Sequence, residues 1–377
     1  MELNRSDSSL DKVLARKWRP KNFSQVIGQE TTVKALKHAL KTNRLHHAYL
    51  LTGSRGVGKT TIARLVAKAV NCLSGEKNEP CTICKTCEEI DAGSFIDVIE
   101  IDAASNRGVE EIQHILEQTQ YAPSLGLKKV IVIDEVHMLS NHAFNAMLKT
   151  LEEPPDHIIF ILATTDPQKI PATVVSRCLQ FVLRNISSKL VFSHLSDILK
   201  VEEIYFEESA LKEISLAAHG SMRDALSIYD RMVSFSNQQL TVKSVSENLN
   251  VLDHETFFSV TSLILKHDIP ALLLAFDELV QKGFDEIQFV SGLGLHFRIL
   301  MVSKENSTLK LLEVSNTTQE KYKSQTQEAP LSLLLEAIDL TSKCELDYRN
   351  TKNKRLLIEL CLMQIASLRL EEKTTDL

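Results

Sequence analysis

No run of 18 uncharged apolar residues occurs anywhere in this 377-residue sequence, which excludes a hydrophobic membrane-spanning helix. Its first residues, MELNRSDSSLDK, are polar and lack the apolar stretch of a secretory leader. Internal repeats and low-complexity linkers are also missing. Net charge is small, at −6 with a pI near 6.1, which argues against indiscriminate nucleic-acid binding. Cysteine is sparse outside one cluster. Of seven, Cys178, Cys344 and Cys361 stand alone, while Cys72, Cys81, Cys84 and Cys87 crowd together. A cytoplasmic chain is expected, in which clustered thiols point to metal rather than to disulfides.

At 44% hydrophobic and 24% charged, the chain has the composition of a globular protein of two or three domains. Its charge is unevenly spread. Residues 1–60 carry 12 Lys+Arg against 4 Asp+Glu, and the remaining 317 carry 31 against 45. A basic front on an acidic body suits phosphate chemistry near the N-terminus. Short apolar runs at residues 48–51, 95–101, 130–133, 158–163 and 179–183 read as buried strands. Helix-compatible sequence separates the first four, which predicts an α/β domain, a parallel sheet with helices on both faces. Beyond residue 187 the period becomes helical, as at Leu272, Ala275, Phe276 and Leu279, or Leu331, Leu334, Leu335 and Ile338, and the rest is expected to be helical.

The string GSRGVGKT, comprising Gly53, Ser54, Arg55, Gly56, Val57, Gly58, Lys59 and Thr60, fits the phosphate-loop pattern and lies between a predicted strand and a predicted helix. Its glycines let backbone N–H groups face phosphates, and the following helix adds its positive end. Lys59 supplies a cation for the β and γ phosphates, and the Thr60 hydroxyl can ligate Mg²⁺. The run VIVID ends in Asp134 and is followed by Glu135. Asp134 is placed to hold Mg²⁺ through water, and Glu135 to orient or deprotonate the attacking water.

The same carboxylates begin DEVH, which also spells the box of DExH helicases. Such enzymes need a second ATP-binding lobe carrying arginines, and the helical second half offers none. Three further strings bear on the choice. LATTDPQKIP puts Thr164 and Thr165 past a buried strand, SRC contains Arg177, and GSMRDAL places Arg223 at a helix start.

With LARKWRP, GSRGVGKT, DEVHML and LKTLEEPP, these strings resemble the gamma/tau family of bacterial DNA polymerase III clamp-loader subunits, AAA+ ATPases, over residues 11–250 and more loosely beyond. The resemblance implies ATP, Mg²⁺ and Zn²⁺ as cofactors, with Thr165 as sensor, Arg223 as the lid arginine on the chain's own γ-phosphate, and Arg177 as an arginine finger for a neighbour's ATP. It further implies an ATPase domain at 11–186 with the cysteine module at 72–87, a helical lid at 187–251, and a helical oligomerisation collar at 252–377, while residues 1–10 are a polar extension outside the match. Delta and delta-prime subunits, further copies of this chain, the ring-shaped sliding clamp and primer–template DNA are the implied partners. A non-hydrolysing scaffold relative would lack a working phosphate loop, against which Lys59 and Thr60 argue.

The cysteine spacing, x8 then x2 and x2, suits a closed tetrahedral Zn²⁺ site with no open position for catalysis. An iron–sulfur cluster is the rival, although the fourth cysteine of that run is replaced by Asp91. The clamp-loader family carries zinc at the matching cysteines. Arg107 is a candidate DNA-phosphate contact. Asp11 stands where the family usually has tyrosine. Ending at Leu377, the chain looks like a gamma-length product, and the segments by which the longer tau form reaches polymerase and helicase are expected to be missing.

Overall fold

The computed structural model describes residues 14–74, 79–105, 108–235, 239–241, 254–305 and 316–368. Asp11, the extension at 1–10 and Arg107 lie outside them. The chain divides into two compact units, at residues 1–242 and 243–377.

The first unit is built on five parallel strands, β1 Ala48–Thr52, β2 Val98–Asp102, β3 Lys129–Asp134, β4 Ile158–Thr164 and β5 Leu179–Val182, in the spatial order β2-β3-β4-β1-β5. β1 and β4 read as continuous apolar runs because they are buried along their whole length, as a sheet covered on both faces requires. Alternate residues feed two cores. Tyr49, Leu51, Val130, Val132, Ile159 and Ile161 share one with helices α2 (Glu30–Lys41) and α3 (Lys59–Asn71). Leu50, Ile131, Ile133, Phe160 and Leu162 share the other with α5 (Val109–Gln118) and α6 (Asn141–Glu152). The segment before α2 holds a short helix, α1 (Leu14–Lys17), and α4 (Lys85–Ala92) starts directly after Cys84 and carries Cys87.

The second strand begins at Val98, not Phe95. Phe95 is spent as a buried plug, and Asp97, wholly buried, turns inward to accept the N–H groups of Ser124, Leu125 and Gly126 at 2.7–2.8 Å. Beside it, Asn71 accepts from the N–H groups of Leu127 and Lys128. Burial alone would push the Asp97 carboxyl up, but its three N–H donors outweigh that and hold it below the ordinary carboxylate range. An Asp97→Asn variant should lose about 1–3 kcal/mol at neutral pH. With a depressed folded value, the contribution is complete above about pH 4 and is lost as pH falls through the folded value. Across that range the denaturant midpoint should fall more with pH for wild type than for the Asp97→Asn variant.

After a short helix, α7 (Ala172–Val175), and β5 come α8 (Ser188–Val201), α9 (Glu208–Ala217) and α10 (Met222–Phe235). Ser187 caps α8 by accepting the N–H of Leu190. This region is not purely helical as expected, since Tyr205–Phe206 pairs in parallel with Gln239–Leu240. Two-residue strands carry no periodicity for a sequence to reveal. The segment preceding α2 is tied to these helices, with the Leu14 N–H donating to Asp230 and Trp18 Nε1 to Glu202.

The described part of the second unit is wholly helical: α11 His254–Leu265, α12 Ile269–Gln281, α13 Glu286–Val302, α14 Asn316–Glu328, α15 Leu331–Tyr348 and α16 Lys354–Ala366. Leu272, Phe276, Leu334, Ile358, Cys361, Leu362 and Ile365 lie in one core. A polar chain crosses it: His296 bridges the Tyr322 hydroxyl and Gln325, and Gln325 donates to the Phe258 carbonyl. Burial holds the His296 imidazole down to about 4, so it is neutral. Among the described residues, no helix is long and apolar enough to cross a membrane.

Candidate nucleotide and metal sites

The sheet delivers the phosphate-loop residues, the strand-end carboxylates and the threonine to its carboxyl edge, where ligands of open α/β sheets sit. Residues 53–58 run from the end of β1 to the start of α3. Gly56 has φ +77°, and a Cβ there would meet Ser221 Oγ at 1.9 Å and Arg223 Cβ at 3.3 Å. Glycine is therefore required both for the left-handed turn and for the approach of α10. Gln29, nearly fully buried, spans the loop and the chain after β5 by donating to the carbonyls of Val57 and Arg184. Ser54 and Arg55 are exposed.

Lys59 is nearly fully buried, and its Nζ donates to the carbonyls of Gly53 (2.8 Å) and Ser54 (2.9 Å). Burial lowers its pKa, opposed by the charges of Glu135 and Asp134. Thr60 Oγ1 donates to Asp134 Oδ2 at 2.7 Å, so the two residues expected to share a magnesium already touch. Glu135 sits in the left-handed region at φ 48°, an uncommon place for a side chain larger than Asn and one found where strain positions functional groups. Its Oε2 accepts from Thr165 Oγ1 at 3.0 Å, and His137 Nδ1 lies 3.4 Å away. Thr164 proves to be the buried last residue of β4, engaged with His137 Nδ1 at 3.0 Å, which leaves Thr165 alone to face the carboxylate. Arg223, exposed on the first turn of α10, reaches the same neighbourhood from the lid side.

Arg177 is not among this group. The β1–β5 register pairs Tyr49 with Leu179 and Thr52 with Val182, so Arg177 lies level with His47 at the amino edge, about 20 Å along the strands from Gly53. No arginine side chain spans that distance. Arg177 there lines an open cleft of about 520 Å³ with His46, His47, Leu151, Glu152 and Ser176. Its Nη2 pairs with Glu152 Oε1, and its Nη1 donates to the Thr173 carbonyl at 2.6 Å. The roles of His137, Ser221 and Glu152 were missed from sequence. DEVH, GSMRDAL and LKTLEEPP contain these three residues, but their contacts depend on tertiary placement.

The Sγ atoms of Cys72, Cys81, Cys84 and Cys87 all lie within 4.8 Å of one another, with Cys72 to Cys84 at 3.9 Å and Cys81 to Cys87 at 4.0 Å. A tetrahedron with about 2.3 Å metal–sulfur bonds has sulfur–sulfur edges of about 3.8 Å, so the set fits one ion. A multi-iron cluster needs its cysteines further apart. The thiols are unequal: foremost the Ile83 N–H holds Cys81 down to about 6, while burial pushes Cys87 up. Ser105 Oγ donates to Asp102 at 3.1 Å, and Gly108 precedes α5.

Residues 28–187 match the family model of DNA polymerase III, delta subunit, and residues 190–238 that of the DNA polymerase III clamp loader subunit, ATPase lid domain. The DNA polymerase III subunit tau of Escherichia coli is 47% identical over 298 residues, 79% of this chain and 46% of that protein. Subunit tau/gamma of Haemophilus influenzae is 53% identical over 255 residues, 68% and 37% of the two chains. Subunit gamma of Buchnera aphidicola subsp. Acyrthosiphon pisum is 40% identical over 359 residues, 94% of this chain and 98% of that one. The chain thus spans less than half of the first two relatives and nearly all of the third. With a parallel sheet, phosphate loop and ATPase lid in AAA+ order, the chain belongs to the DNA polymerase III gamma/tau subunit family.

Proposed function

We propose that this chain is an ATP-hydrolysing motor of a clamp loader, working in the cytoplasm with delta and delta-prime subunits and further copies of itself to place the sliding clamp on primer–template DNA. One observation carries the reading: a nearly complete phosphoryl-transfer site at one edge of the sheet, and an arginine without a local phosphate at the other. Backbone N–H groups of residues 53–60 cradle the triphosphate, Lys59 leaves its two carbonyls for the β and γ oxygens, and Thr165 steers Glu135 toward the attacking water. Thr60 and Asp134 would hold Mg²⁺, which supplies charge neutralisation between the phosphates. Arg223 meets the γ-phosphate from the lid, and Arg177 serves a neighbour's site. Cys72, Cys81, Cys84 and Cys87 would hold Zn²⁺, which would supply local structure rather than chemistry, since all four thiolates would be committed to it. The helicase reading would need a second nucleotide lobe, and residues 254–368 offer only helices among those described.

The test compares ATP turnover of the chain alone with that of the chain assembled with its partner subunits, clamp and primed DNA. Slow turnover alone and strong stimulation on assembly are expected. Strong turnover and strand separation by the lone chain would refute the clamp-loader reading in favour of a helicase.

A further inference from the structure

We propose that Glu152 is the positioning residue that aims Arg177 at a neighbouring subunit's triphosphate, an inference resting on the trans role of Arg177 given above. The guanidinium has five N–H donors. Nη1 is engaged by the Thr173 carbonyl at 2.6 Å and by Ser176 Oγ at 3.3 Å, and one Nη2 hydrogen by Glu152 Oε1. Nε–H and the second Nη2 hydrogen have no partner among the described residues. Nε and Nη2 form one side of the fork, the kind of donor pair that grips two phosphate oxygens, and each keeps a hydrogen outside these contacts. The carboxylate therefore holds the group in place while donors remain for a phosphate.

The pair lies at the mouth of the cleft, with the arginine side chain 31% and the glutamate 52% exposed. Water screens the carboxylate there, so it costs the approaching phosphate little. Glu152 is also the last residue of α6, whose amino end is capped by Ser140 just after the turn that carries Glu135 and His137. Over 12 residues this helix spans about 18 Å, from the chain's own hydrolytic carboxylate to the arginine it presents outward. A rigid rod sets the position of Glu152, and Glu152 sets the guanidinium.

In the assembled loader with clamp and primed DNA, Glu152→Gln should lower stimulated kcat about 10- to 100-fold, while KM for ATP stays within about twofold and the melting temperature is unchanged. The double variant E152Q/R177A should be no slower than R177A, because a group acting through Arg177 has nothing to orient once the arginine is gone. A merely structural role would shift stability or add to the arginine's loss. Unchanged or raised turnover in E152Q, or an additive double variant, overturns the assignment. If R177A is inactive and E152Q normal, only the role of Glu152 fails; if R177A turns over normally, the trans reading falls and this one with it.

Discussion

Replacing Arg177 with alanine should lower clamp- and DNA-stimulated ATP hydrolysis by about 10³- to 10⁵-fold, equivalent to about 4–7 kcal/mol of barrier, with ATP binding and assembly intact. The transferring phosphoryl group spreads charge over its equatorial oxygens, and a planar guanidinium meets that charge with paired donors. Arg177 cannot supply them to its own loop, because the register of β1 and β5 holds it at the far edge. Binding survives because Lys59 and the loop backbone are untouched. Stability should change by less than about 1 kcal/mol, since the pair with Glu152 is largely exposed. Pre-steady-state hydrolysis in the reconstituted assembly measures this directly, and wild-type turnover would refute the trans role.

Purified protein should contain about one zinc per chain, and its removal should have the largest effect on local structure. Metal binding at such sites contributes on the order of 10–16 kcal/mol to folding. Without an ion the four sulfurs crowd within 4.8 Å with little to offset the burial of Cys87. Chelation should disorder the cysteine module and α4, seen as rapid amide exchange over residues 79–92, and leave the phosphate loop able to bind ATP. Protons compete with the ion for thiolates, so affinity falls as pH falls. Iron in place of zinc, or a metal-free protein with unchanged exchange, would overturn the assignment.

Much of the nucleotide site was legible because its parts are local. A phosphate loop is contiguous, β3 announces itself by four buried apolar positions, Val130 to Ile133, running into Asp134, and Gly56 marks a turn that other residues avoid. The strand β2 was placed a few residues early because Phe95 is apolar whether it lies in a strand or plugs a loop, and nothing in the sequence tells that Asp97 collects three N–H groups from residues 124–126. The edge on which Arg177 lies depends on the pairing of β5 with β1, a contact across some 130 positions of chain, and no periodicity encodes it. The grip of Lys59 on Gly53 and Ser54 was equally invisible, because it is a choice among rotamers.

The opposite placement of the phosphate loop and Arg177 makes each chain a polar building block with unlike ends. Copies joined by these ends make heterologous contacts, which must close into a ring or run on as a spiral. In an arc that stays open, one end subunit keeps a nucleotide site that no arginine reaches, and the other presents an arginine to nothing. Complete hydrolytic centres are then always one fewer than the subunits that carry these parts, so the arc has a direction, and a partner of another kind can be specified for each end.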